Sequence, residues 1–256
     1  MTDSSLEGKV AVVTGASRGL GAHIAVGLAR RGASVVVNFR SSADAAQQVV
    51  ERIEQAGGRA FAAKADVGDE GETRAMVDET LERFGPIDVL VLNAVGEVLR
   101  GPALDQSPAR LASLMAEHFL QCTVPVYAVA PAMAARGSGS VILISDTFSH
   151  RLIAGGLGHA LPKVPVETAI RYLALELGES NVRFNTVISG AIRSEAYDRA
   201  LHNPVVAAKM SAYLEQVPLG RIAEPEEVAD VVAALAGDRF GYVTGAALPV
   251  VGGYLA

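Results

Sequence analysis

The feature that most constrains the fold is an alternation of short, mainly apolar runs with longer helix-like segments along the chain. The apolar runs, rich in valine and isoleucine, lie at 10–15, 33–39, 59–67, 87–94, 140–145, 182–189 and 244–250. Strands that are apolar throughout must be covered on both faces, which is typical of a parallel sheet with helical crossover connections. The pattern therefore predicts one doubly wound α/β domain over 1–256, with helices on both faces of a parallel sheet.

Helical patterns fill the intervals between these runs. We expect helices at 23–32, 43–58, 70–84, 107–136 and 165–178. The most irregular segment, 193–220, follows a predicted strand end, which is the edge where open α/β sheets receive ligands. Its apolar side chains are compatible with a mobile lid over a substrate or with an ordinary packed helix pair, and the sequence leaves both open.

Composition and charge exclude several classes of partner. The net charge is −6 without a run of like charges, so neither nucleic acid nor an anionic membrane is expected as a partner. Cys122 is the single cysteine, which rules out an internal disulfide and fits a reducing compartment. The polar N-terminus lacks a signal peptide's apolar core, and no apolar run is long enough to span a membrane. We predict a cytoplasmic protein that acts on a small molecule, and no metal site.

A glycine-rich turn, "TGASRGLG" at 14–21, joins the first predicted strand to the first helix. Gly15 would permit a tight turn, Gly19 would let the backbone approach a phosphate, and Gly21 would allow close helix–strand packing. The helix N-terminus would then offer free N–H groups to a pyrophosphate. This predicts a Rossmann-type phosphate-binding turn; the alternative is a tight connection that merely needs small residues.

The spacing Gly-x3-Gly-x-Gly after Thr14 resembles that of the short-chain dehydrogenase/reductase family, and the resemblance extends over nearly the whole chain. "DV" at 66–67 resembles the family's adenine contact, and "NA" at 93–94 resembles the end of its Asn-Asn-Ala-Gly strand. "SGAIRS" at 189–194 is similar to the Pro-Gly-x-Ile-x-Thr segment that borders the nicotinamide. "PLGRIAEPEEVADVVAALAGD" followed by "YVTGAALPVVGG" is similar to the family's C-terminal section.

The resemblance implies a nicotinamide dinucleotide as cofactor. The cofactor-binding residues that it implies are Gly15, Ser17, Arg18, Gly19, Leu20, Gly21, Phe39, Arg40, Asp66, Val67, Asn93, Ala94, Lys163, Gly190, Ile192 and Ser194.

The end of the second strand bears on which dinucleotide is bound. A carboxylate there would bind a ribose 2′-hydroxyl, but Phe39 occupies that position and Arg40 follows it. Arg18 adds a second cation nearby, and a guanidinium can bind a phosphate in a fork. We therefore expect NADP(H) in preference to NAD(H). The alternative is that both arginines are solvated surface residues.

The family's catalytic residues are largely replaced. A tyrosine normally supplies the proton, a lysine four residues later assists it, and a serine and an asparagine complete the set. By motif, Lys163 matches the lysine, whereas His159 stands for the tyrosine, Asp146 for the serine and His118 for the asparagine. Ser145 is one residue out of register, and a one-residue slip in a strand turns a side chain to the other face.

His159 could still exchange a proton if Asp146 lies close enough to favour a charged imidazole, although the ammonium of Lys163 would oppose that charge. The alternative is a structural histidine, and the same holds for His118. Pro162 and Pro165 suggest a helix that begins near 162–165. His159 would then precede that helix, and its i,i+4 relation to Lys163 cannot be assumed. Tyr172, inside the helix, is expected to be packed.

Three functions remain open. The first is reduction of an α,β-unsaturated carbonyl such as an enoyl thioester, and the second is carbonyl reduction or alcohol oxidation through an Asp146–His159 dyad. The third is a catalytically degenerate subunit or cofactor-binding regulator, compatible with Val95 and Val251 at positions where the family has glycine and aspartate. An apolar lid over 193–220 would suit an apolar or thioester-linked substrate.

The resemblance also implies an oligomer. Members of the family are typically dimers or tetramers that pack their long helices between subunits. The helices expected at 107–136 and 165–178 are the candidate interfaces, and the partner could be an identical chain or another member of the family.

Overall fold

The computed structural model of the chain describes residues 5–255. Its centre is a seven-stranded sheet in the order β3-β2-β1-β4-β5-β6-β7. The strands are β1 Val10–Val13, β2 Ser34–Phe39, β3 Arg59–Lys64, β4 Val89–Leu92, β5 Gly139–Asp146, β6 Val182–Ser189 and β7 Ala247–Val250. Every neighbouring pair is parallel. The strand order reverses between β1 and β4, and such a switch point opens a crevice at the carboxyl ends of the strands. The predicted fold class is confirmed.

Helices cover both faces of the sheet. They are α1 Gly19–Ala29, α2 Ala43–Gln55, α3 Glu70–Arg83, α4 Pro108–Arg136, α5 Leu157–Ala160, α6 Lys163–Leu177, α7 Glu195–Ala200, α8 Pro204–Leu214 and α9 Pro225–Ala236. Successive residues of β1 face opposite layers: Ala11 and Val13 pack with α1, α2 and α9, while Val10 and Val12 pack with α3, α4 and α6. This two-sided burial explains why β1, β2, β4 and β6 are buried throughout.

The first helix begins earlier than its apolar pattern predicts. It starts at Gly19 rather than at 23, because the glycine-rich residues form its first turn. Gly21 is required there by close contact and Gly19 by its positive φ, and neither serves helix propensity, which glycine lowers. The preceding strand ends at Val13, before Gly15 adopts a φ of +61°.

Pro162 and Pro165 interrupt the backbone hydrogen bonds between α5 and α6 without changing the direction of the chain. Leu161 (φ −54°, ψ −43°) and Pro162 (φ −61°, ψ −25°) keep right-handed helical angles between α5 and α6. Because Pro162 and Pro165 lack an N–H group, they cannot continue the helical ladder even though the backbone path is helical. α6 begins at Lys163, within the range that the prolines suggested, so His159 precedes it as expected and lies in the separate short helix α5. The helical path between α5 and α6 keeps His159 near Lys163, and both side chains lie close to the Asp146 Oδ2.

The structure also bears on the expectations for Tyr172 and for the segment 193–220. Tyr172 on α6 is 62% exposed, so the expectation that it packs inside the protein is wrong for the single chain. The segment 193–220 contains α7 and α8, and the Tyr213 ring lies 4.7 Å from that of Tyr254. The Tyr213 hydroxyl oxygen also accepts a hydrogen bond from the Ala191 N–H at 3.2 Å. At this end the segment is packed.

Residues 1–4 and 256, which the one-domain prediction also includes, lie outside the described range. Within 5–255, none of the helices combines the length and the apolar character that crossing a membrane requires.

Candidate active site

The glycine-rich turn is fixed to the end of β4 by Thr14. The Thr14 hydroxyl donates to the Val91 carbonyl at 3.2 Å and accepts from the N–H groups of Asn93 and Ala94, each at 2.9 Å. In return, the Asn93 amide Nδ2 donates to the carbonyl oxygens of Thr14 (3.0 Å) and Gly15 (3.2 Å). The residues predicted as the turn and as the "NA" motif therefore form one hydrogen-bonded unit at the switch point.

Two of the glycines leave no room for a side chain. A Cβ on Gly15 would lie 2.9 Å from the Ala94 Cα, and one on Gly21 would lie 2.4 Å from the Asn93 Nδ2. Gly19 differs, because its φ is +56° while no described atom lies within 4 Å of a Cβ built there. Its backbone conformation requires glycine. The open space beside it leaves the helix N-terminus free to receive an anion.

Asn38 is a structural residue of the site that the sequence reasoning missed. It is buried at the end of β2, where its Oδ1 accepts from the Gly15 N–H at 3.0 Å and its Nδ2 donates to the Ala65 carbonyl at 3.1 Å. Its own carbonyl accepts from the Ala16 N–H at 2.8 Å. A lone amide in an otherwise apolar strand was the signal that could have identified it.

An open cavity of about 450 Å³ lies at the ends of β1 to β4. It is lined by Gly15, Ser17, Arg18, Asn38, Phe39, Arg40, Ser41, Ser42, Ala65, Asp66, Val67, Asn93, Ala94, Val95 and Gln121. The volume is that of a small-molecule site. Most of the predicted cofactor residues line it, and Gln121 is an addition that no motif indicated. Gly19, Leu20 and Gly21 form the adjoining first turn of α1.

Two arginines lie at one end of this cavity. The Arg18 guanidinium donates to the Ser42 hydroxyl, and the Arg40 Nη1 lies 3.6 Å from the Asp66 Oδ2. Both arginines are exposed, and Phe39, the last residue of β2, carries no charge. This end of the cavity could hold a phosphate group, since guanidinium groups bind phosphate oxygens in a fork.

Three of the predicted catalytic residues meet on one carboxylate oxygen. Asp146 lies at the end of β5, where its Oδ1 accepts from the Phe148 N–H at 2.9 Å. Its Oδ2 lies 2.6 Å from the His159 Nε2 and 3.4 Å from the Lys163 Nζ. The His159 ring also stacks on Phe148, with 4.2 Å between ring centroids and 10° between planes. The structure thus forms the Asp146–His159 contact on which a proton-exchanging dyad depends.

The carboxyl group of Asp146 is held in its ionised form. Burial alone would raise its pKa, but the hydrogen bond from His159, the charge of Lys163 and the Phe148 N–H together lower it. An ionised carboxylate only accepts hydrogen bonds, so the His159 Nε2 carries the hydrogen that they share. The second ring nitrogen, Nδ1, is buried, and the described part of the chain provides it with no hydrogen-bond partner. A carboxylate thereby orients an imidazole through one ring nitrogen, as in other carboxylate–imidazole dyads, while the other nitrogen makes no hydrogen bond to the described residues.

His118 lies near this cluster without joining it. It is buried on α4, where its Nε2 lies 3.9 Å from the Cys122 Sγ, and it lines a cavity of about 20 Å³ together with His159 and Lys163. Burial, and secondarily the charge of Lys163, lowers the pKa of His118 to about 4, although Asp146 opposes that shift. His118 is therefore a neutral wall of the pocket at physiological pH.

Ser145 does not take the place of the absent serine. Its hydroxyl donates to the Glu167 carboxylate on α6, whereas the Asp146 carboxylate contacts His159 and Lys163. As the one-residue shift in register predicts, the Ser145 side chain is directed to Glu167 and not to the cluster of His159 and Lys163.

The predicted nicotinamide-border residues follow β6, whose Ser189 pairs with Asp146. The Gly190 N–H donates to the Val250 carbonyl at 3.1 Å, Ile192 forms a bridge with Ala223, and the Ser194 hydroxyl caps α7. Gly190 lines a separate cavity of about 160 Å³. These residues share the carboxyl edge of the sheet with the cluster but do not line the 450 Å³ cavity.

Comparison with known proteins places the chain among described families. The family model described as "Enoyl-(Acyl carrier protein) reductase" matches residues 15–255. A hydroxynaphthalene reductase-like protein, Arp2, from Metarhizium guizhouense is 34% identical over 267 residues, covering 98% of this chain and 97% of that protein.

Two solved structures share the fold closely. A gluconate 5-dehydrogenase from Burkholderia cenocepacia, in complex with NADP and tartrate, has a TM-score of 0.89 at 29% identity, covering 99% of this chain and 97% of that one. A 7α-hydroxysteroid dehydrogenase complexed with NADH and 7-oxo glycochenodeoxycholic acid also has a TM-score of 0.89, at 32% identity, covering 98% and 96%.

Proposed function

Because this chain belongs to the short-chain dehydrogenase/reductase family, we propose that it is an NADP(H)-dependent oxidoreductase that interconverts a carbonyl and an alcohol through an Asp146–His159 dyad. The observation that supports this most directly is the 2.6 Å contact between the Asp146 Oδ2 and the His159 Nε2. It provides an oriented imidazole where the family's tyrosine is missing.

The residues of the glycine-rich turn fit a nicotinamide dinucleotide. Gly15 and Gly21 keep side chains out of the turn, and the N-terminus of α1 presents free N–H groups beside Gly19. Arg18 and Arg40 would bind the 2′-phosphate that distinguishes NADP(H). When bound, the dinucleotide supplies or accepts the hydride. NADP and NADH, respectively, are present in the two related structures described above.

The Asp146–His159 dyad would accept and donate the proton of the reaction. In alcohol oxidation, the neutral His159 would accept the hydroxyl proton at Nδ1, and the Asp146 carboxylate would stabilise the imidazolium that forms. In carbonyl reduction, the imidazolium would return that proton to the oxygen. The buried ammonium of Lys163 would stabilise negative charge on the substrate oxygen. General acid–base catalysis of this kind contributes about 10²–10⁴-fold to a rate.

A second candidate is reduction of a carbon–carbon double bond conjugated to a carbonyl, as in an enoyl thioester. It is supported by the description of the matching family model. In this reaction the proton is delivered to carbon. Lys163 would stabilise the enolate oxygen, and no acid would be needed to protonate that oxygen. A matched ketone and enone of the same carbon skeleton distinguish the two, with NADPH consumption followed at 340 nm and the products identified by mass spectrometry. Turnover of the enone alone would refute carbonyl reduction.

The third candidate is a degenerate subunit that assists an active family member. It is motivated by Val95 and Val251 and by the three replaced catalytic residues. Purification from the native organism tests it. An intact family member that co-purifies, with no turnover by the isolated chain, would support this candidate, and turnover by the isolated chain would exclude it.

We place the subunit interface on α4 and α6. Three large side chains project from these helices into solvent: Tyr127 is 73% exposed, Tyr172 62% and Leu175 79%. Apolar surface of this kind marks an interaction site, and a homodimer or homotetramer would cover it. The segment 193–220 is proposed as the wall or lid of the substrate site, which would suit an apolar or thioester-linked substrate.

A further inference from the structure

One buried carboxylate near the site has no part in the chemistry described above. Glu167, on α6, is 14% exposed in its side chain. Its Oε1 accepts from the hydroxyl groups of Ser145 and Ser149, the latter at 2.8 Å, and its Oε2 lies 3.1 Å from the His150 Nε2. A partly buried carboxylate requires such partners, because an unsatisfied charge in this environment is destabilising.

The partners of Glu167 lie on both sides of Asp146 in the chain. Ser145 immediately precedes it, and Ser149 ends the short 3₁₀ turn that follows it. The Ser149 hydroxyl also lies 3.3 Å from the Asp146 carbonyl oxygen. Glu167 therefore holds the backbone that enters Asp146 and the backbone that leaves it.

Glu167 also belongs to the helix that carries Lys163. The two residues are four positions apart on α6, which places them on the same side of the helix, one turn from each other. Glu167 thus connects the element that carries the carboxylate of the dyad to the element that carries its ammonium partner. A shift at this connection would change the 2.6 Å and 3.4 Å distances at the Asp146 Oδ2.

We propose that Glu167 is a positioning residue, which acts through Ser145 and Ser149 to hold Asp146 in contact with His159 and Lys163. This rests on the proposed function in one respect: the dyad must work for Glu167 to affect catalysis. The geometric part of the proposal, that Glu167 maintains the Asp146–His159 hydrogen bond, stands on its own contacts.

The test is an NMR measurement on the full-length protein with ¹⁵N-labelled histidine. The short hydrogen bond should give a low-field proton signal from the His159 Nε2–H, which is assigned by its loss in His159→Phe. In Glu167→Ala this signal should move to higher field or broaden beyond detection. Glu167→Gln retains an acceptor oxygen for the two hydroxyl groups and should keep the signal.

Ile170→Val is the matched control, because Ile170 is buried on the same helix and belongs to the hydrophobic core cluster. It should lower the Tm and leave the signal unchanged. If Glu167→Ala lowers the Tm and also leaves the signal unchanged, Glu167 only stabilises the fold and the proposal is wrong. Should Glu167→Ala not fold, Ser149→Ala provides the same measurement, with a smaller shift expected.

The effect of Glu167 on the catalytic rate is measured separately. Because a displacement of about 1 Å can cost about 10²-fold in rate, we expect Glu167→Ala to lower kcat about 10- to 100-fold. The KM for NADPH should be unchanged. If the NMR signal shifts while His159→Phe leaves hydride transfer intact, the positioning role stands and the proposed proton-transfer role of the dyad fails.

Discussion

The His159 imidazole lies 2.6 Å from the Asp146 carboxylate, although thirteen residues separate the two in the chain. The contact forms because β5 ends at Asp146 and the turn of α5 returns His159 to the same edge of the sheet. A carboxylate in this position can fix the imidazole tautomer and stabilise its charged form. The contact therefore gives the proposed dyad an imidazole that a carboxylate orients.

Replacing His159 by phenylalanine should reduce single-turnover hydride transfer to a ketone about 10²–10⁴-fold, because the proton acceptor and donor is removed. The rate is measured by stopped-flow absorbance of NADPH at saturating cofactor. His23→Gln is the control, since His23 contacts Glu226 on α9 and is not among the residues that line the 450 Å³ cavity. A rate equal to wild type in His159→Phe would exclude the dyad from the chemistry.

Asp146→Asn should destabilise the fold by about 3 kcal/mol, because it leaves the buried Lys163 ammonium without its counter-ion. The free energy of unfolding is obtained from urea titrations at pH 7. Adding Lys163→Met to this variant removes the isolated charge and should recover a large part of the loss. If the single and double variants are equally unstable, the ion pair does not determine stability here.

Substituting Arg18 and Arg40 by alanine should weaken NADPH binding about 10- to 100-fold for the pair, since hydrogen bonds to charged groups contribute about 1.5–3 kcal/mol. The Kd for NADH should stay unchanged, because it has no 2′-phosphate. Both constants are measured by fluorescence titration. Arg59→Ala is a suitable control, because this arginine packs over Phe84 and does not line the 450 Å³ cavity. Equal losses for the two cofactors would contradict the proposed phosphate contact.

His118 should make the fold less stable in mild acid. Its pKa is lowered from 6.5 to about 4, so between these values the unfolded chain binds a proton that the folded protein does not. The stabilisation linked to the lowered pKa of His118 is therefore fully present above pH 6.5 and is lost as the pH falls towards 4. The free energy of unfolding falls by about 3 kcal/mol in total over this range. Urea titrations from pH 7 to 4 should show a shallower pH dependence for His118→Leu than for wild type. Parallel curves would show that His118 titrates normally in the folded protein.

Much of the fold could be predicted because its signals are local. Apolar runs and glycines identify the strands and the phosphate-binding turn, and β5 and β6 lie where the pattern placed them. The first helix starts earlier than predicted, because Gly21 serves close packing and Gly19 a positive φ, and neither residue favours a helix. Hydrophobic periodicity alone cannot detect a helix turn built for contact.

The candidate site was only partly predictable. Motif spacing selected Asp146, His159 and Lys163, which the structure brings together at one carboxylate oxygen. The prolines correctly predicted the start of α6 near Lys163, but they left open whether the chain from His159 to Lys163 follows a helical path, which it does. Glu167 was missed because its partners lie up to 22 residues away and depend on how α6 packs against β5. Such contacts are created by tertiary packing and leave no periodic signal in the sequence.

The prolines between α5 and α6 have one more consequence. Pro162 and Pro165 remove two links from the backbone ladder that would otherwise join the histidine's turn to the lysine's helix. The turn that carries His159 is therefore held at the site by its side-chain contacts, the Asp146 carboxylate and the Phe148 ring, as well as by the backbone. The orientation of the imidazole is thus tied to the end of β5 more than to α6, which an unbroken helix would not permit.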